Sequence, residues 1–423
     1  MAVARIDVAE RRRRLGVRHA LAPGAHAGDP VEAARRVVGF HGTDPASVFL
    51  ALRARMPGAT VGHLDRELYD ARRLLRVLGM RRTLFVVPAD LRAAIQSSTL
   101  PRVAHAHRRS LLKDLAAAGI EDPGPWLDDV EASTLAALIA RGEAGAAELV
   151  ADEPRLATGL RMGAGTAYEA VQNITSRVLI LLGARGLIVR GRPGGSWVSR
   201  RYSWVPTARW LGQAADPAVA ALAAAEPAAE PVFGPLTADP EAAAQGAAEL
   251  VRRYLGAFGP APLADLRWWT GWTAAQTKAA LAAVSAVEVA VDDGAGAVGP
   301  GYVLPDDVEP TADPGPWAAL LPALDSTPMG WSARAWYLGG HKGSLFDAMG
   351  NIGPSIWLAG RIVGGWAQRP DGEIAVEVLE DVGREARALI DADAAAVAAF
   401  LGPARFTPTF RTPLERRLAA PPA

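Results

Sequence analysis

Arg190, Arg192, Arg200 and Arg201 crowd a short stretch that also carries Trp197, Tyr202 and Trp204. Guanidinium groups suit phosphate oxygens and base edges, and aromatic rings can stack on an exposed base, so the pattern points to nucleic acid. For Trp197 and Trp204, burial under a hairpin is the competing role. A second basic group, Arg72, Arg73, Arg76, Arg81 and Arg82, ends in a pair two residues past Gly79, where a hairpin would project it towards a groove. Gln172, Asn173 and Arg177 fall near one face of an expected helix and complete the DNA-contact candidates. Arg11–Arg14 is a further basic run, with solvated surface as the plain alternative.

Other chemistries find no support. The chain has no cysteine, which excludes disulfides, thiol nucleophiles and cysteine zinc sites. There is no HExxH, and His105 and His107, two apart, point to different helix faces, so neither metal nor cofactor is expected. Gly163-Ala164-Gly165 lacks a third glycine and a clean preceding strand. Gly339–Ser344 imitates a phosphate loop, but its lysine precedes the glycine. Trp268, Trp269 and Trp272 read as core, and Asn351-Ile352-Gly353-Pro354 is distinctive without a derivable role.

The elements that must hold these residues repeat one layout: helix, helix, turn, helix, hairpin. Gly246–Leu281, followed by strands near Val287–Val291 and Val298–Val303, is its clearest instance, the order of a winged helix. In the first instance, helices are expected at Glu10–Ala22, Pro30–Phe40, from Asp44-Pro45 to about Met56, and at Val61–Arg73. Asp as N-cap before Pro at the first helical position is a strong start signal. In the second, Ser133 caps a helix, Ala144–Val150 forms a short one, Thr166–Gly183 a long one, and two strands meet across Gly194-Gly195. The expected fold is mainly α with β (α+β): three tandem winged-helix units and a C-terminal antiparallel β-domain with a turn at Pro370-Asp371-Gly372 and a closing helix at Ala394–Leu401. Boundaries fall at 1–125, 126–212 and 240–308 for the winged units, 213–239 for a linker centred on the Ala/Pro/Glu stretch Ala214–Pro231, and 309–423 for the β-domain. With 423 residues, half of them hydrophobic, there is ample chain for several cores. No apolar run nears the ~20 residues of a membrane span, and the N-terminus lacks a signal-peptide core, so a cytoplasmic, nucleoid-associated protein is expected. Forty-five basic and 45 acidic residues give zero net charge, which suits local engagement of a duplex rather than strong nonspecific binding.

The segments VVGFHGTDPASVFLALRARMPG, LLRVLGMRRTLFVVPADL, GGSWVSRRYSWVP, LVRRYLGAFGPAPLADLRWWTGW and LLPALDSTPMGWSARAWYLGGHKGSLFDAMGNIGPSIWLAGRIVGGWAQRPDGEI, in order from about Val31 to Leu401, resemble one family. It is the bacterial winged-helix DNA-binding and DNA glycosylase family that includes the azinomycin-resistance and interstrand-crosslink glycosylases. The resemblance implies winged helices around a concave channel, and excision of bulky or crosslinking N7-alkylpurines in DNA repair or antibiotic self-resistance. It also implies a monofunctional hydrolase that acts on damaged double-stranded DNA as a monomer. The family's catalytic glutamine–apolar–glutamine motif falls on His41-Gly42-Thr43, so both amides are replaced, in a pattern resembling a subgroup with histidine first and Thr-Asp third and fourth. By that resemblance His41, Thr43 and Asp44 are the catalytic candidates, with Asp44 as a plain N-cap the competing role. The other functional class is a noncatalytic winged-helix protein that binds DNA or sequesters a genotoxin.

Overall fold

The computed structural model describes residues 4–162, 170–225, 233, 234, 236 and 239–421. The fold is mixed α and β, 49% helical and 17% strand, with small sheets, as expected for an α+β chain. Contacts divide it into two compact units: Met1–Asp65 with Phe85–Pro88 and Ala248–Ala423, and Arg66–Leu84 with Ala89–Ala247.

In the first unit the helix Val8–Arg18 starts where the Asp7 carboxylate accepts the Glu10 N–H. Its arginines are internal ties, which corrects their reading as a basic face. Arg11 lies 4.1 Å from the Trp336 ring centroid, and Arg14, 1% exposed, meets Glu10 and the carbonyls of Asp307 and Glu309. The next helix stops at Arg36 instead of reaching Phe40, because Val38 (φ 53°) and Gly39 (φ 95°) turn the chain. A Cβ on Gly39 would sit 2.7 Å from the Val87 side chain, so this close approach requires glycine. The turn delivers the strand Phe40–His41, antiparallel to Phe85 and Val86. The helix Pro45–Arg55 then opens with Asp44 and Pro45 in the expected places, and the chain turns at Pro57 and Gly58 (φ 80°).

Three further helices, Pro240–Phe258, Leu263–Thr270 and Ala274–Ala283, precede the hairpin Val287–Asp292/Val298–Val303, in the order read from the sequence. Their core is aromatic: Tyr254 and Trp269 lie 4.9 Å apart, and Trp269 and Trp272 are each 3% exposed. The strands Ala318–Leu321, Ser355–Leu358, Arg361–Gln368 and Ile374–Val378 form an antiparallel sheet in that order. Its last hairpin turns at Pro370-Asp371-Gly372, with the Asp371 carboxylate accepting the Glu373 N–H. The closing helix begins at Gly383 rather than Ala394.

The second unit packs helices Leu100–Ala117, Pro123–Arg141 and Thr175–Ala184 around a leucine- and valine-rich core. Ser133 lies inside the second of these and is not a cap; its hydroxyl donates to Glu153. The helix expected from Thr166 begins at Thr175, while Ala170–Asn173 is a strand antiparallel to Gly159–Met162. Residues 166–169 of that expected helix, and Gly163-Ala164-Gly165, lie outside the described residues. The helix expected over Val61–Arg73 ends at Asp65 and gives way to a wider π turn at Arg66–Asp70. Within Ala214–Pro231, Pro217–Ala221 is helical, capped by Asp216, and Leu222–Ala225 forms a 3-10 turn; 226–231 lie outside the described residues.

Candidate catalytic strand and basic aromatic groove

His41 ends a strand of two residues, and its backbone is fixed from the side away from Phe85. In an extended chain the peptide groups of residues i and i+2 face the same edge. Ser326 uses this: its Oγ accepts the His41 N–H at 3.1 Å and donates to the Gly39 carbonyl at 2.8 Å. One hydroxyl thus stands where a neighbouring strand's backbone would pair. The imidazole is 5% exposed, and its centroid lies 5.3 Å from that of Phe85. Phe85 in turn meets Trp269 edge-on at 6.4 Å, so the aromatic core backs the strand.

The segment carrying Ser326 is itself pinned. Asp325 forms a two-pronged, fully buried ion pair with Arg55 at 2.6 and 2.9 Å, at the end of the helix that His41-Gly42-Thr43-Asp44 introduces. Thr327 accepts from Arg55 at 2.8 Å, and its Oγ1 lies 2.8 Å from His19 Nδ1. The other ring nitrogen of His19 faces the Ala257 carbonyl at 3.1 Å. A carbonyl only accepts, so Nε2 carries the proton and Thr327 donates to Nδ1. Burial, then the Arg55 charge, hold the His19 pKa well below its usual 6.5. Leu324 takes φ 58°, and its N–H donates to the Ile352 carbonyl. Asn351, beside it, is tied to Asp347 through both backbone and side chain at 2.8 Å. That gives the Asn351–Pro354 motif a structural role: it braces the segment that braces His41.

Asp44 occupies the N-cap position but does not cap. Its carboxylate makes no bond to the helix and accepts the Thr409 N–H at 2.8 Å. At 3% exposure it anchors the C-terminal chain. Thr43 is the partly exposed member of the trio. His19, Arg55, Asp325, Ser326 and Thr327 escaped the sequence reading. Their one signal is a run of short polar residues, Asp-Ser-Thr, set in the apolar stretch LLPALDSTPMGW.

The second unit gathers most of the arginine and amide candidates. A groove of about 670 Å³ is lined by Gln172, Asn173, Arg190, Arg200, Tyr202 and Trp204 among others. The hairpin Ile188–Pro193/Tyr202–Pro206 sets Arg190 opposite Trp204, with a register shift between Arg190 and Pro193. A Cβ on Gly191 would come within 2.6 Å of the Ser203 hydroxyl, so glycine permits the irregularity. Arg190 lies 5.0 Å from each ring centroid of Tyr202 and Trp204. Arg76, 4% exposed, lies 5.1 Å from Tyr202 and donates to its hydroxyl at 3.1 Å. Burial first, then the Arg76 charge, lower the Arg190 pKa, with Tyr202 opposing.

The remaining candidates separate. Arg177 is bound to Asp114 and Ser110 on a neighbouring helix. Gln172 and Asn173 stand on an exposed strand, not on a helix with Arg177 as the sequence suggested. Arg192 lies 4.3 Å from the Tyr69 ring and 3.7 Å from Asp70. Trp197 is half-buried, and Arg201 is exposed beyond the strand ends. Arg81 and Arg82 form the turn Met80–Arg82 with φ of 53° and 65°. Arg72 and Arg73 are partly exposed and tied within the unit, to the Trp210 carbonyl and to Glu67.

Among the described residues no helix is long and apolar enough to cross a membrane. Residues 34–400 match the protein family described as DNA glycosylase AlkZ-like. The fold is similar to that of the Streptomyces sahachiroi DNA glycosylase AlkZ, with a TM-score of 0.67 over 93% of this chain and 96% of that one. The two are 20% identical, so this likeness concerns the fold. No curated protein matches the chain.

Proposed function

The chain belongs to the AlkZ-like DNA glycosylase family, and from that premise we propose that it hydrolyses the N-glycosidic bond of bulky or crosslinking N7-alkylpurines as a monofunctional enzyme, with His41 and Thr43 at the reacting sugar. The observation that carries this reading is the bracing of a two-residue strand by Ser326, which fixes His41 beside a partly exposed threonine.

N7-alkylation leaves the purine positively charged, so the C1′–N9 bond breaks with its electron pair passing to the departing base and little acid help. What remains is an oxocarbenium-like sugar that must be met by a water. The imidazole of His41 takes the proton of that water, and the Thr43 hydroxyl orients it. Asp44 serves indirectly, by holding the chain through Thr409. Arg81, Arg82, Arg190, Arg192, Arg200 and Arg201 supply the phosphate contacts, with Gln172, Asn173 and Trp197 beside them; Arg177 contributes indirectly, its ion pair with Asp114 holding the helix that follows Asn173.

The test is excision from duplex DNA carrying N7-alkylguanine, scored as abasic sites. His41→Ala should lower single-turnover excision ~100-fold or more, the usual worth of one positioned acid–base group. DNA affinity and melting temperature should stay near wild type, and His41→Gln should retain more activity than alanine. Excision by His41→Ala at the wild-type rate removes His41 from the chemistry.

A further inference from the structure

We propose that the groove lined by Gln172, Asn173, Arg190, Arg200, Tyr202 and Trp204 is a pocket for one unpaired, undamaged nucleotide of DNA. The phosphate enters towards Arg190 and the two amides meet the base edge. The proposal rests on the glycosylase reading only for the polymer that supplies the nucleotide.

Three observations carry it. The first is charge. Arg55, Arg108 and Arg185 each contact a carboxylate, whereas Arg76 and Arg190 meet none among the described residues. The Nε–H groups of both are buried without an acceptor. Burying a cation without an anion is costly, and ring faces and tyrosine hydroxyls offset only part of that cost. A phosphate beside Arg190 supplies the missing charge. The second is shape. At about 670 Å³ the groove lies within the ~300–1,000 Å³ of small-molecule sites. A paired duplex buries its base edges at the floor of its own grooves, so it cannot press them into a protein concavity. A nucleotide that has left the stack can enter. The third is the lining. Asparagine and glutamine amides present a donor and an acceptor together, the complement of a base edge, and both stand on an exposed strand.

The experiment measures fluorescence anisotropy with three duplexes of identical flanks, none alkylated: fully paired, carrying one bulged nucleotide, and carrying one bulged abasic sugar. The wild-type protein should bind the bulged nucleotide ~10-fold more tightly than the paired duplex, the worth of one good base contact. The abasic bulge should gain less. Arg190→Gln should abolish the preference. Gln172→Ala with Asn173→Ala, on a surface strand where folding is not at stake, should reduce the nucleotide bulge to the level of the abasic one. Equal affinity for bulged and paired duplex overturns the proposal, as does a preference that survives both variants. Equal affinity for the nucleotide and abasic bulges reduces the groove to a phosphate contact and overturns it too. Binding is read without excision, so a protein inactive on N7-alkylguanine would refute the proposed catalysis and leave this result standing.

Discussion

His107 and His19 are two histidines the fold keeps neutral, for a shared first reason. Burial, then the charges of Arg177 and Arg82, push the His107 pKa down to about 4, and burial and Arg55 push His19 well below 6.5. The unfolded chain therefore binds these protons at higher pH than the folded one does. Stability from this source is complete above about 6.5 and is lost as pH falls towards the folded values. The melting temperature should drop between pH 7 and pH 4.5, and His107→Gln should flatten the drop. An unchanged slope in that variant would show that His107 does not feel these charges. Neither histidine announced this in the sequence. His19 is tuned by partners at positions 55, 257 and 327, and no local pattern reports contacts across such distances.

The turn Met80–Arg82 holds two arginines in the left-handed region. Two consecutive arginines in the left-handed region cost roughly 1 kcal/mol each or more, and glycine would adopt the same backbone freely. Arg81→Gly with Arg82→Gly should therefore raise the melting temperature while weakening duplex binding and reducing its salt slope by roughly one to two counterions. A double variant that binds as tightly as wild type would remove this turn from the interface. The turn was legible because Gly79 breaks an alternating apolar run, as were the helices of 240–283 and the hairpin after Ile188. The strand Ala170–Asn173 was not. Its residues continue straight into the apolar spacing of Thr175–Ala184, so one periodic stretch concealed a strand and a helix. Asp44 misled for a related reason: Asp before Pro marks a helix start correctly, but nothing local shows that its carboxylate serves Thr409, 365 residues on.

At the scale of the whole chain, the proposed chemistry and the proposed DNA contacts draw on different compact units: His41 and Thr43 belong to one, the arginine and amide candidates to the other. Variants should divide accordingly. At saturating DNA, Arg81→Ala with Arg82→Ala should excise at the wild-type single-turnover rate and show only a raised Kd. His41→Ala should show the reverse. If the arginine variant also loses single-turnover rate at saturation, its side chains act on the reacting nucleotide and the division fails. Zero net charge makes this experiment tractable, because nonspecific attraction to DNA does not mask the loss of two local cations.

A backbone amide that relies on a side-chain hydroxyl has a recognisable signature in deuterium exchange. The His41 N–H lies at the end of a two-residue strand, where opening is easy, and Ser326 holds it from the edge away from Phe85. Ser326→Ala should speed deuterium uptake in a peptide spanning His41 while uptake at Leu320, whose N–H is held by Asp393, stays unchanged. On the proposed reading of His41, that one amide becomes a reporter of the site: uptake should slow further on binding of DNA that places a sugar there, measurable without waiting for any bond to break.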